Sequence, residues 1–402
     1  MTRFLLWAAS AYLVLAATAA SAQTPGVAAD QILVGIVGPI SGPVAFLGLA
    51  GRDGATLAFK EINAAGGVNG RKIQMQFEDD AHSPVRALAS VKKLVEQDKV
   101  FMVMSVGGSN ATGGTLGYLK ERGTPLYVTT ASAPEVTYPF ARNLFRGAST
   151  ESGRFGEVYA EFLATHYKAK KIVMISSRDE YSRNESEFTV AKLKAWFNIE
   201  PESRLEFNNG DKDFTSQLIA TQRANPDVIA VFGNPPEAAI MLKQARDLGL
   251  KQPFFVGSAI VDSGVISAAK GAAEGVKGFV SLPVLPGSKH PSMQKWEAAY
   301  RREYPNLPAG RPSTFDVIAY GEAYVVAEGL RRAGPQPTQE SFIRALEGMQ
   351  NYAVGPIASP RSFTAKHHIG NLTLSPMEVR GGSWEPVQWS STRPTEILKR
   401  YE

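Results

Sequence analysis

The feature that most narrows what this chain can fold into is an alternation of strand-like and helix-like patterns, running from Ile32 to Val256 in two successive series. Ile32 to Val37 is an apolar run of strand character, followed by the turn Gly38-Pro39-Ile40-Ser41-Gly42-Pro43. Ala50 to Ala64 places Ala55, Leu57, Ala58 and Ile62 at helical spacing, and Gly66-Gly67 stops that helix by accepting positive φ. Lys72–Phe77, Val100–Met104 and Pro125–Val128 read as further strands, with helices over Pro84–Gln97 and Ala111–Arg122 between them. The second series follows Asn143–Arg146. Helices over Glu151–His166, Glu185–Phe197, Phe214–Ala224 and Pro235–Leu248 alternate with strands over Lys171–Ile175, Arg204–Phe207, Val228–Val231 and Phe254–Val256. Repeated strand–helix units predict parallel sheets covered by helices, and two series predict two such sheets, an α/β chain of two doubly wound lobes. Beyond them, Ser292–Tyr304, Thr314–Arg332 and Gln339–Met349 read as helices, and the stretch from Val354 as short strands and turns.

A chain of 402 residues, 44% hydrophobic and 20% charged, has the length for two cores. The formal net charge of +5 is spread thinly with no block of like charges, which argues against nucleic acid as a partner. Arg3, the apolar run Phe4–Ala17 and the exit Ala20-Ser21-Ala22 form a secretory signal-peptide pattern, so residues 1–22 are expected to be cleaved. The run is shorter than the roughly 20 residues a spanning helix needs. With no cysteine there is no disulfide, no thiolate chemistry, no Cys-type zinc site and no lipidated cysteine after the signal. The expectation is a free periplasmic protein, not a lipoprotein, monomeric and without cofactor or metal.

Open α/β sheets bind ligands in the loops at the carboxyl ends of their strands. Ser41-Gly42-Pro43 is the first such loop. Ser105 to Asn110 is the second: Gly107 and Gly108 allow close approach to the backbone, and Ser109 and Asn110 sit where a helix begins, with free N–H groups suited to a carboxylate. The alternative reading is that Ser109 or Asn110 does no more than cap that helix. The third loop, Thr129 to Pro134, carries hydroxyls that can orient a polar head group, or is a plain turn. Tyr181, read as lying on a loop of the second series, offers a ring that can cover a ligand.

Enzyme chemistry finds weaker support. Gly107-Gly108-Ser109-Asn110-Ala111 approximates the G-x-S-x-G elbow of a serine hydrolase, but Ala111 replaces the last glycine and no histidine is marked as a base. Phosphate-loop and dinucleotide fingerprints are absent. Glu78-Asp79-Asp80 reads as structural pairing rather than a metal site, and His367-His368 as a solvated turn.

Together these segments resemble the periplasmic leucine/isoleucine/valine-binding proteins of ABC transporters, over about Ile32 to Trp389. The most specific matches are Ser41-Gly42-Pro43, Gly48, Gly54-Ala55, Ile62 to Gly70, Asp79-Asp80, Pro84, Pro134 to Thr137 and Leu242 to Gly249. The resemblance implies two lobes joined by three crossovers, a type I binding-protein fold, with an N-terminal lobe over 23–147 and 281–365 and a C-terminal lobe over 148–280 and 366–402. It implies a small-molecule ligand held by Ser109 and by a backbone group and a hydroxyl of Ala131 and Ser132, and covered by Tyr181; the loop reading adds Ser41, Gly108 and Asn110. The partner it implies is a membrane permease; a ligand sensor feeding a regulator or receptor is the alternative, and a serine hydrolase stands third. Ser258 matches the family's acidic partner of an ammonium group, and Leu47, Asn234 and Pro286 match its aromatic pocket positions. His82 and Gly108 match its disulfide. With no acid at Ser258, a carboxylate without an α-ammonium group is the favoured ligand, such as an aromatic or other organic acid, with a branched-chain amino acid next. Asp179, Glu180 or Asp262 would have to substitute for the missing acid. On this reading Ser109→Ala and Ser132→Ala weaken binding with little effect on stability.

Overall fold

The computed structural model describes residues 24–354 and 357–402, so the segment read as a signal peptide lies outside the described residues. The first sheet is five parallel strands: β1 (Gln31–Gly38), β2 (Lys72–Asp79), β3 (Met102–Ser105), β4 (Leu126–Val128) and β5 (Leu144–Arg146), in the order β2-β1-β3-β4-β5. The central strands β3 and β4 are buried along their whole length, as their unbroken apolar runs require. The sheet-edge strand β2, KIQMQFED, is only partly covered and carries the polar residues.

The helices α1 (Ala45–Ala64), α2 (Pro84–Lys92, continued by a wider turn to Gln97) and α3 (Ser109–Arg122) connect these strands. Helix α1 begins five residues before the position its apolar stripe marks, because Ala45 to Gly48 are small or apolar and pack at the cleft. It crosses a later helix closely: a Cβ on Gly54 would meet the carbonyl oxygen of Asp316 at 2.3 Å, so glycine sets that approach.

The second sheet holds β6 (Ile172–Ser177), β7 (Ser203–Phe207), β8 (Val228–Phe232), β9 (Phe254–Val256), β10 (Lys277–Val280), β11 (Ser375–Arg380) and β12 (Ser383–Pro386), ordered β12-β11-β10-β9-β8-β6-β7. Its β6–β10 portion is parallel; β11 and β12 add antiparallel, an edge hairpin turned by Gly381-Gly382 at positive φ. Helices α4 (Ser152–Thr165), α5 (Glu180–Phe197), α6 (Thr215–Ala224), α7 (Pro235–Asp247) and α8 (Ser263–Ala269) serve this sheet.

Chain order then returns to the first lobe. Helices α9 (Pro291–Glu303), α10 (Thr314–Arg332) and α11 (Gln339–Glu347) pack there, with Lys60 paired to Glu303 and Phe101 edge-on to Phe342. The chain therefore passes between lobes after β5, after β10 and before β11. The first and third passages run side by side: Arg146 N–H donates to His368 O, and Gly370 N–H donates to Arg146 O. His368 is accordingly not on a solvated turn. It is fully buried, stacked on Phe145 at 3.8 Å, with Nδ1 2.9 Å from the Leu144 carbonyl. Beyond the cleft the lobes meet again, where Thr314 N–H donates to Asp262 and the Thr314 hydroxyl donates to the Val261 carbonyl.

Candidate functional site

Between the lobes, at the carboxyl ends of both sheets, lies a narrow cavity. Phe46, Leu47, Phe155, Val280, Phe315 and Ile318 supply apolar surface. Among the described residues lining it there is no lysine or arginine.

Helix starts converge on this cavity. Val44, Gly108, Asp179 and Asn234 are the residues preceding α1, α3, α5 and α7, and all line it. They are not equivalent. Asp179 caps its own helix, accepting from Ser182 N–H at 2.8 Å and from the Ser182 hydroxyl at 3.0 Å. Helix α7 opens with Pro235-Pro236, which have no N–H to offer. Helix α3 follows Gly108 with no side-chain cap, so its first-turn N–H groups keep their capacity for an anion. Thr130, beside it on the wall, donates its hydroxyl to Gly107 O and fixes the loop.

The ring of His82 closes this corner. A Cβ on Gly108 would lie 2.7 Å from His82 Cε1, so only glycine admits the ring there. Burial lowers the His82 pKa, with Asp179 across the cleft opposing that shift, and its Nδ1 is buried without a partner.

The structure brings Leu47, Gly108, Tyr181, Asn234 and Ser258 to the cavity wall, as the sequence reading expects. It places the other expected residues elsewhere, for reasons of hydrogen bonding. Ser109 is buried behind Gly108, its Oγ accepting from the N–H groups of Ser132 (3.2 Å) and Ala133 (3.3 Å). Ser132 turns its hydroxyl to Ser152, 2.9 Å away at the start of α4. The carbonyl of Ala131 accepts from buried Arg146. Asn110 donates to the His82 carbonyl, and Ser41 donates to Asp79 on the outer rim. Pro286 belongs to a separate surface depression beside Arg301 and Arg311. The right loops are therefore at the cleft, but these hydroxyls stitch the loops together, while Gly108 and Thr130 face the ligand space.

The acidic run also resolves into structural pairs. Glu78 meets Lys93, Asp79 meets Arg86 and the Ile40 N–H, and Asp80 accepts from the His82 N–H. Among the described residues, no group of three or more metal-ligating side chains is arranged for an ion.

Tyr181 lies not on a loop but in the first turn of α5, whose Asp179 cap sets the helix start five residues before the expected Glu185. That shift puts Glu185 one turn behind Tyr181 on the same face. Glu185 is fully buried and accepts from Tyr181 Oη at 2.8 Å, Ser258 Oγ at 3.1 Å and Tyr159 Oη at 3.4 Å. Burial pushes its pKa up to about 7 against the pull of those hydroxyls. Sequence reasoning missed it, since an acid inside a helical pattern reads as an exposed position. The overlooked signal was Asp179-x-x-Ser182, a helix-start pattern. Of the other acids considered, Asp262 is buried and caps α8, while Glu180 is not among the lining residues.

Comparison with known proteins agrees with this architecture. A family model described as periplasmic binding protein matches residues 31–383. The leucine-, isoleucine-, valine-, threonine- and alanine-binding protein of Pseudomonas aeruginosa is 30% identical over 309 residues, covering 76% of this chain and 80% of that protein. Among solved structures, the branched-chain amino acid transporter substrate binding protein of Streptococcus pneumoniae, in complex with isoleucine, superposes with a TM-score of 0.76 at 25% identity, covering 89% of this chain and 98% of that one. An ABC-transporter solute binding protein of Rhodopseudomonas palustris, in complex with 3,4-dihydroxybenzoic acid, superposes with a TM-score of 0.77 at 20% identity, covering 89% and 96%. Such proteins bind solutes without transforming them, and the serine-hydrolase reading gives way: Ser109 Oγ serves two backbone amides instead of a catalytic base. The chain belongs to the periplasmic binding protein family, as a solute-binding protein of the ABC-transporter type.

Proposed function

We propose that this protein captures a small carboxylic acid lacking an α-ammonium group, with an aromatic or other organic acid ahead of a branched-chain amino acid. Export to the periplasm as a cleaved, lipid-free monomer and delivery to a membrane permease complete the reading. The observation that carries it is the uncapped start of α3 on the cavity wall, a set of backbone donors in a cavity without lysine or arginine. Burying an ammonium beside them needs a paired anion. Ser258 carries no charge, and the lining carboxylate of Asp179 is held at the start of α5 by Ser182 and faces His82 across the cleft. Lobes over 23–147 with 281–365 and over 148–280 with 366–402 would close about the three passages, with ligand contacts on both walls favouring the closed form.

A thermal-shift screen of branched-chain amino acids, aromatic acids, keto acids and dicarboxylates tests this. At 1,000 times its dissociation constant a ligand stabilises the protein by about 4 kcal/mol. Simple acids are expected to raise the melting temperature. Tight binding of leucine, isoleucine or valine, with no response to the simple acids, would overturn the reading.

A further inference from the structure

The second-lobe wall of the cavity contains a proton inventory that restricts what can face it. Tyr181 and Ser258 line the cavity, and their hydroxyl oxygens lie 2.5 Å apart. Both are within hydrogen-bond distance of the same atom, Glu185 Oε1, at 2.8 and 3.1 Å. Tyr159, behind them on α4, approaches that oxygen at 3.4 Å. A hydroxyl has one proton to give. Above about pH 7, where Glu185 is ionised, the protons of Tyr181 and Ser258 are spent on the carboxylate or on each other, and only oxygen lone pairs are left for the cavity. The carboxylate is seated on purpose-made space: a Cβ on Gly257 would fall 2.5 Å from Glu185 Oε2. That second oxygen is buried with no hydrogen-bond partner.

We infer that Glu185 is a positioning residue that makes the Tyr181–Ser258 part of the second-lobe wall a hydrogen-bond acceptor, and so selects carboxylic acids bearing a hydroxyl at the end remote from the α3 N-terminus. The inference rests on the carboxylic-acid reading above and narrows it to hydroxy acids. A ligand without such a donor leaves two buried oxygens unpaired when the lobes close, which is costly in a dry site.

The test is calorimetric titration of the whole mature protein at about pH 8, where Glu185 with its pKa of about 7 is mostly ionised, with two matched pairs: 3,4-dihydroxybenzoate against benzoate, and 5-hydroxypentanoate against pentanoate. Wild type is expected to prefer the hydroxylated member of whichever pair binds by at least about tenfold. Glu185→Gln keeps the size of the side chain, but its amide donates to one hydroxyl and returns that proton to the cavity. The preference should fall to near unity or invert, with the plain acid gaining. Should that variant not fold, Tyr181→Phe removes one acceptor, together with its hydrogen bond to Glu185, while keeping the carboxylate itself, and should shrink the same ratio. Equal binding of both members by wild type, or a wild-type ratio in the folded variants, overturns the inference while leaving the carboxylic-acid reading standing. Binding of none of these acids, in any form of the protein, removes that reading and the inference with it.

Discussion

The two walls of the cavity are built on opposite principles. The first-lobe wall presents main chain and small residues, Gly108 and Thr130, and buries its serine hydroxyls in the loops behind. The second-lobe wall presents side chains, Tyr181, Asn234 and Ser258, backed by carboxylates: Glu185, and Glu237, which accepts from the Gly210 N–H. Backbone donors at a helix start recognise any carboxylate and are indifferent to side-chain identity nearby. Side chains poised by buried acids read one particular group. On the proposed reading, generic recognition sits in the first lobe and specificity in the second.

Substitutions that separate the walls sharpen this contrast or break it. The largest effect is expected at Glu185. Its folded pKa is raised from 4.5 to about 7, so the folded state holds that proton more tightly than the unfolded chain. The stability this contributes is fully present below pH 4.5 and is lost as pH rises through 7. Relative to Glu185→Gln, wild type should lose roughly 3 kcal/mol across that window. Urea unfolding of both proteins at several pH values checks it, and parallel curves would remove Glu185 from the account. Ser109→Ala comes next. It strips the acceptor from two buried backbone N–H groups, so unfolding free energy should fall by about 1–3 kcal/mol, while affinity for the bound acid stays within about threefold. That reverses the expectation from sequence, and a large affinity loss without destabilisation would restore Ser109 as a ligand contact. Tyr181→Phe is expected to weaken binding of a hydroxylated acid about tenfold, equivalent to about 1.4 kcal/mol, measured by calorimetry with unfolding as control. Ser41→Ala, out on the rim, should change stability and affinity by less than about 0.5 kcal/mol.

These contrasts also explain what was legible beforehand. The strand–helix alternation is a periodic signal, so two parallel sheets and the cleft loops could be read from it directly. Side-chain direction within a loop has no period. Ser109 and Gly108 are neighbours, and nothing local reveals which of them faces the ligand; that depends on the amides of Ser132 and Ala133, which arrive from another crossover. Helix starts were misplaced at α1 and α5 because apolar periodicity marks where a helix is buried, not where its cap lies. For α5 that error moved Tyr181 onto a loop and hid Glu185. The edge hairpin β11–β12 was visible only as turn-rich sequence, since its partner β10 lies far back in the chain.

The central claim is that an anion is held by backbone donors at the start of α3. The most direct measurement compares an acid with its own amide, which has nearly the same shape but no charge. Calorimetric titration with 3,4-dihydroxybenzoate and 3,4-dihydroxybenzamide does this at fixed pH. The account predicts at least about tenfold tighter binding of the acid, retained in Ser41→Ala. Binding of the amide as tightly as the acid would contradict it.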